Sequence, residues 1–505
     1  MTPPRQQHPE VLVVGAGPAG LSTAIGLARA GVRVLLVERH TGTSPFPKST
    51  GVSTRTMEVL RAWGLEDRVR DGAMRVRTAV TVSRSLVEPE RMSTPTAFPT
   101  DEQAGAASPT RPCFCAQDHL EPILLEHLVA VGGRVRFGTE LAELRTHPGG
   151  VSAELLDRAS GRRSRVHARY VVGADGPRST VRPALGIGVT DLGTLGEFVA
   201  VTFRADLARR MPRTPSVINV VELPGAEGLL VPTSADDRWI YAGRSTGDLR
   251  DPREQLRLAT GVPDLEPEIL TVMPFTMGAH MADALRSRDG RGFLVGDAAH
   301  RTTPEGGIGM NTAMHAAHNL AWKLAWVLRG HAGEALLDSY SEERRPVGLA
   351  NALRSLHPGT AVDPLALDLG VTYDSAVLAA DAGQRAPHAW VRHAGRRISA
   401  VELFDGRMTV LAGHGGGHWR SAARELAADG LPIVGLSVGR DLHPVDATFA
   451  ERYRLGDTGA VLVRPDGYLA CRLDGSTRAA SATLRAAVRR ALGRDGAAAT
   501  RVRAS

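Results

Sequence analysis

The chain has 505 residues, 43% apolar and 23% charged; that is too long for one ordinary core and too apolar for wholesale disorder, so two or three globular domains are expected. Its formal charge of +7 rests on arginine, because Lys48 and Lys323 are the only lysines, and no basic run interleaved with aromatics accompanies it, which argues against a nucleic-acid partner. There is no long uncharged apolar stretch and Met1 to Glu10 is polar and Pro-rich, so neither a membrane span nor a signal peptide is expected, and the protein is read as soluble and cytoplasmic.

From Val11 the sequence VLVVGAGPAGLSTAIGLARAGVRVLLVERH reads as a buried strand, a Gly-rich turn, a helix ending at Gly31 and a second apolar strand closed by Glu38, one βαβ unit. Gly15, Gly17 and Gly20 form G-x-G-x-x-G, with Pro18 and Ala19 opening the helix, so that a pyrophosphate can approach its N-terminal N–H groups. Glu38, 18 residues past Gly20 and followed by Arg39, suits ribose hydroxyls and would repel a 2′-phosphate; the resident nucleotide is expected to be the ADP half of FAD or NAD. Residues 74–111 lack helical periodicity and are expected to form strands and loops of an insertion. Cys113, Cys115 and Cys471 have neither disulfide-framework nor metal-site spacing and are read as small buried side chains, with no metal implied.

Gln117 to Val131 carries Leu120, Ile123, Leu124 and Leu128 on one helical face, and Arg165 to Ala174 reads as one strand ending in the turn Asp175-Gly176. Short β-rich pieces between Thr190 and Gly278 predict an antiparallel sheet, on which Tyr241 and Arg244 are candidates for a substrate pocket. GFLVG, from Gly292, runs through Gly296 into Asp297 and a loop from Pro304 to Gly309, followed by a helix over 310–329. After a Pro/Ala-rich stretch at 356–387, strands and helices such as MTVLAG, LPIVGLSVG and ATLRAAVRRAL alternate, which assigns a separate α/β domain. The run Gly413 to Gly417 lacks the third motif glycine, position 418 being His418, and is not expected to hold a second nucleotide. The tail from Gly496 is expected to fray.

In order along the chain, VVGADGPRST at 171–180 and GFLVGDAAHRTTPEGGIGMN at 292–311 resemble the second and third fingerprints of the para-hydroxybenzoate hydroxylase family of FAD-dependent monooxygenases. The tail VELFDGRMTVLAG through GAVLVRPDGYLACR is similar to that of aromatic polyketide hydroxylases of the aklavinone (anthracycline) type. The resemblance implies an α/β fold with a Rossmann-like, glutathione-reductase-type FAD domain, an antiparallel-sheet substrate domain and a C-terminal thioredoxin-like domain without redox cysteines. The expected boundaries are 1–75, 111–189 and 286–385 for the FAD-binding parts, 76–110 and 190–285 for the substrate domain, and 386–495 for the last domain. Asp297 is implied to hold the ribityl chain, and Asp175 to support both FAD and reductant. Gly306 and Gly307 would leave room for the flavin ring, and backbone donors around Gly309, Met310 and Asn311 would face it, a placement that suits the charge on reduced flavin. Lys48 replaces the family's arginine, Gln117 matches a glutamine near the cofactor, and Ala313 and Ala316 replace a glycine and an aspartate. These changes leave His315 and His318 close to the flavin helix, expected as exposed or capped helix residues, with an altered pocket as the alternative.

The implied reaction uses NADPH and O2 to hydroxylate a small polycyclic aromatic substrate through a flavin C4a-hydroperoxide, in a monomer or homodimer. No side chain is identified as catalytic. Two other readings stay open: a Baeyer–Villiger or antibiotic-inactivating oxygenase on the same fold, and a flavin-bearing protein that binds a ligand without turning it over. The absence of a W-x-W-x-I-P pattern argues against halogenation.

Overall fold

The computed structural model describes residues 8–207, 209–234, 237–245, 251–357, 360, 363–474 and 479–495; the tail from Gly496 lies outside them. The first sheet has five parallel strands in the order Gly292–Leu294, Tyr170–Gly173, Val11–Val14, Val34–Val37 and Arg134–Arg136. Every residue of the three middle strands is buried, which is why they read as unbroken apolar runs. Helix Pro18–Arg29 covers one face and packs on the long helix Gly309–Leu328, where a Cβ on Gly26 would lie 2.7 Å from Ala321. The stretch expected as one strand over 165–174 is two: Arg163–Ala168 closes a three-stranded sheet, and Tyr170–Gly173 enters the parallel one.

The second sheet has eight strands, ordered His300–Arg301, Glu268–Ala282, Val189–Arg204, Arg238–Arg244, Gly228–Pro232, Ser216–Val221, Arg77–Ser83 and Met92–Pro95. It is mixed, not purely antiparallel: Arg77–Ser83 pairs parallel to Ser216–Val221, and the remaining pairs are antiparallel. Two helices interrupt the regions expected as strands and loops. Asp101–Ala107 starts at a capping box between Thr100 and Gln103, and Pro252–Thr260 runs from the Asp251 cap to Gly261 in the left-handed region.

The last domain carries a four-stranded mixed sheet, Ile433–Ser437, Met408–Ala412, Ala460–Val463 and Leu469–Leu473, with helices Gly417–Ala428 and Ala480–Ala491. This arrangement is thioredoxin-like. All three cysteines are free and buried. The Gly413 to Gly417 loop is filled by its own chain: a Cβ on Gly413 would sit 2.3 Å from the Asp457 carbonyl oxygen, and the Gly415 N–H donates to Asp457.

Buried charges join this domain to the rest. Glu343, in helix Asp338–Ser355, accepts hydrogen bonds from Lys323 Nζ at 2.8 Å, Asn319 Nδ2 at 2.7 Å, Ser375 Oγ at 2.9 Å and both terminal nitrogens of Arg464 at 2.6 and 2.9 Å. Lys323, Glu343 and Arg464 have no solvent-exposed side-chain surface. Burial alone would raise the Glu343 carboxyl, yet Arg464 and Lys323 hold it below the usual range. Among the described residues no helix is long and apolar enough to cross a membrane.

Candidate active site

Three loops at the C-terminal ends of the parallel strands interlock. Gly15 has φ +105°, and a Cβ there would lie 2.3 Å from the Ala174 carbonyl oxygen; one on Gly20 would lie 1.9 Å from the Gly15 carbonyl oxygen. A Cβ on Gly296 would lie 2.9 Å from that of Ala19. These glycines are therefore required by contact between the Gly15, Ala174 and Gly296 segments. A Cβ on Gly17 would meet nothing within 4 Å, so that residue faces open cleft. Helix Pro18–Arg29 begins there without a side-chain cap or an acidic residue in its first turn, leaving its N–H groups available to an anion.

Glu38 braces this loop. Its Oε2 accepts from the Ala16 N–H at 2.8 Å, and its Oε1 accepts from the His40 N–H at 2.9 Å and lies 2.6 Å from His40 Nδ1. Arg39 beside it is exposed. Glu38→Ala is expected to weaken FAD binding by about 1.5–3 kcal/mol, one charge-assisted hydrogen bond; fluorescence titration of the apoprotein reads this, and unchanged affinity would remove Gly15 to Gly20 as the ADP site.

Asp297 opens onto the same cleft, and its carboxylate has no hydrogen-bond partner among the described residues. The residue is open to solvent, and desolvation by the surrounding protein raises its pKa, opposed by Arg301 and Lys48. Its segment is pinned from behind: His280 Nε2 lies 3.1 Å from the Asp297 carbonyl oxygen, and Arg182 Nη1 donates to that of Ala298 at 3.0 Å. Asp175 reaches this rim too, but its carboxylate turns into its own loop, accepting from Ser179 Oγ at 2.6 Å and from the N–H groups of Thr180 and Val181 at 2.7 and 3.0 Å. Gln117 is buried and donates to Glu121 Oε1 at 2.6 Å, whereas Lys48 is exposed near Asp297 and Glu121.

Beyond Asp297, Pro304 accepts from the Gly307 N–H at 3.0 Å, and Gly306 and Gly307 take φ +77° and +64°. Helix Gly309–Leu328 then starts at Ile308 with no side-chain cap and no acid in its first turn, and Met310 is half-buried there. Asn311 ties the start together with all of its hydrogen-bonding capacity. Oδ1 accepts from the Ser53 N–H at 2.8 Å and Thr56 Oγ1 at 2.9 Å, while Nδ2 donates to the carbonyls of Gly51 and Gly307 at 3.0 and 3.2 Å.

His315 and His318 are not the exposed or capped residues expected; both are half-buried and line cavities behind this loop. Because the Thr56 hydroxyl proton goes to Asn311, His315 Nε2, 3.0 Å away, carries the proton that bonds Thr56. Burial, then the Arg344 charge, keeps His315 neutral, and burial with Arg55 lowers His318 to about 4. The larger cavity, about 380 Å³, is lined by Ser53, Phe98, Asn311, His315, Arg344 and Asp368, among others.

The eight-stranded sheet closes the cleft. Alternation gives it two faces. One carries Phe203, Leu230, Trp239 and Tyr241, packed under Leu256 and Ala259 of helix Pro252–Thr260. Tyr241 therefore does not reach the pocket for which it was a candidate: its hydroxyl donates to the Glu227 carbonyl and accepts from Gln255 in that core. The other face carries Arg238, whose guanidinium bridges Asp118 at 2.6 and 3.0 Å and so turns this face toward the nucleotide-binding domain. On it Val220, Leu229, Val231, Ile240, Ala242 and Phe198 form an apolar wall, each half-buried. Arg244 stands at its edge, 5.6 Å above the Phe198 ring.

This donor set fits FAD. An uncapped helix start suits a pyrophosphate, a strand-end carboxylate at Glu38 suits a ribose, the unpartnered Asp297 suits a polyol, and a second uncapped helix start suits an anionic ring edge.

The chain matches the family model described as FAD binding domain over residues 8–355 and that described as aromatic-ring hydroxylase, C-terminal, over residues 379–495. It is 38% identical to tetracenomycin B2 monooxygenase-dioxygenase of Streptomyces olivaceus, covering 96% of this chain and 98% of that protein. It is 38% identical to aklavinone 12-hydroxylase of Streptomyces purpurascens, covering 96% and 99%. Among solved structures, aklavinone-11 hydroxylase with FAD and aklavinone superposes with a TM-score of 0.88 at 36% identity, over 96% of this chain and 99% of that one.

Proposed function

Because the chain belongs to the FAD-dependent aromatic-ring hydroxylases, we propose that it hydroxylates a polycyclic aromatic molecule of the polyketide type, with NADPH as reductant and O2 as co-substrate. FAD, when bound, would supply the redox chemistry between the nicotinamide and O2. The protein binds, orients and keeps water out. In this reading Gly15 to Gly20 and Glu38 hold the ADP half, Asp297 the ribityl chain, and the N–H groups of Gly309 to Asn311 the pyrimidine edge of the ring. The parts at 1–75, 111–189 and 286–385 bind FAD, those at 76–110 and 190–285 bind substrate, and 386–495 forms the third domain. The reduced thiols and the NADPH requirement suit the cytoplasm.

The observation that carries the substrate class is the half-buried apolar wall of the large sheet. Its middle, Val220, Leu229, Val231, Ile240 and Ala242, bears no charge, and its cations stand at the edges, Arg238 already bound to Asp118. Such a surface favours a broad apolar ring system over a small carboxylate held by an ion pair. NADPH oxidation by the holoenzyme is expected to rise severalfold when a matching polycyclic phenol is added, with a product 16 mass units heavier by the chemistry of oxygen insertion; no stimulation by any aromatic polyketide would refute the reading. Ala242→Glu, which puts a charge on the wall, is expected to raise KM about tenfold or more (about 1.4 kcal/mol) while leaving FAD content unchanged.

A further inference from the structure

Phe98 belongs to the segment that leaves the edge strand Met92–Pro95 of the substrate sheet, yet its ring lies in the cofactor loops. It is 4% exposed, and its backbone is held by reciprocal 3.1 Å hydrogen bonds with the Thr96 hydroxyl. A Cβ on Gly51 would fall 2.4 Å from the ring tip, and one on Gly307 would fall 3.1 Å from Cε2. Phe114 meets the ring edge-on, with centroids 5.3 Å apart. Asn311 Nδ2 bridges the carbonyls of the same two glycines. The gap between the Gly51 and Gly307 segments is thus spanned by one polar group of the nucleotide domain and one aromatic ring of the substrate domain.

We infer that Phe98 is a positioning residue for the cofactor ring: wedged between Gly51 and Gly307, it sets the pitch of the 305–309 loop and makes that loop respond to the position of the substrate sheet. The inference rests on the FAD site proposed above. Phe98 touches no reacting atom; it acts through the loop whose N–H groups the ring would meet. Removing the ring leaves Gly306 and Gly307, both in the left-handed region, without the wall that selects one loop conformation.

The test uses full-length apoprotein titrated with FAD by flavin fluorescence, and holoenzyme assayed for H2O2 released per NADPH consumed. Phe98→Ala is expected to weaken FAD binding about tenfold and to raise H2O2 release severalfold; Phe98→Leu, which keeps most of the volume, should recover most of both. Gly51→Ala alone should also weaken FAD, because its methyl strikes the ring tip, and Phe98→Ala in the same chain should relieve that loss, since the methyl then enters vacated space. Affinity within twofold of the parent for Phe98→Ala, or a double variant as weak as the product of the two singles, would overturn the inference. A parent that binds no FAD would instead overturn the site itself.

Discussion

Asp297→Ala is expected to purify colourless and to stay so at FAD concentrations that saturate the parent. The carboxylate is a strand-end acceptor with no internal partner among the described residues; crowding by the protein raises its pKa, while Arg301 and Lys48 keep it toward the ionised form. The side chain stands open to solvent in the cleft, so each hydroxyl of a bound polyol replaces a water on it with a charge-assisted hydrogen bond. Two charge-assisted hydrogen bonds at about 1.5–3 kcal/mol each amount to about 3–6 kcal/mol, or about 10² to 10⁴ in affinity. The apoprotein should melt as the parent apoprotein does, because the carboxylate holds no other side chain and the carbonyl that meets His280 is kept. Asp297→Asn, which keeps an acceptor oxygen without the charge, should fall between the two. A fully yellow alanine variant would dissociate Asp297 from the cofactor.

Glu343→Ala carries the second large effect, on folding. One carboxylate receives Lys323, Asn319, Ser375 and Arg464 in a solvent-free interface between the helix Gly309–Leu328 and the last domain. Its removal leaves Lys323 without its anion and Arg464 with Asp466 alone. Breaking a buried pair from one side costs about 3–5 kcal/mol, and urea unfolding of the apoprotein should show a loss of that size. Glu343→Gln keeps the volume but not the charge and is expected to lose nearly as much. The sign with pH follows from the depressed carboxyl: its stabilisation is fully present above the unfolded carboxylate range and is lost only as pH falls through the lower folded value. A mildly acidic buffer therefore should not mimic the substitution. Wild-type stability for Glu343→Ala would show that the last domain is held by its apolar contacts alone.

The parallel sheet and the glycine loops were legible because each is a local pattern. Gly15 and Gly20 sit between a buried strand and a helix, and the aspartate after GFLVG stands where a strand end must place it. The helix Asp101–Ala107 was also written locally, in the capping pair Thr100 and Gln103, as was Pro252–Thr260 in Asp251, Pro252 and Gly261. Their apolar stripes are too short for periodicity to mark them as helices. Phe98, His40, His280 and Arg182 had no such signature. Their place in the site follows from the packing of segments far apart in sequence, as when His280 meets the Asp297 carbonyl across two sheets. Tyr241 and Arg244 show the limit most directly: strand periodicity puts them on opposite faces, but which face meets the cleft depends on Arg238 finding Asp118.

The order of strands in the five-stranded sheet also bears on how the chain matures. Its outermost strand, Gly292–Leu294, docks on Tyr170–Gly173, and the Gly296 turn nests against Ala19, about 280 residues earlier in the chain. A nascent polypeptide that has not emerged past Leu294 lacks both that strand and the turn that follows it. The parallel sheet thus closes late in synthesis, and until then the strand Tyr170–Gly173 presents an unpaired edge.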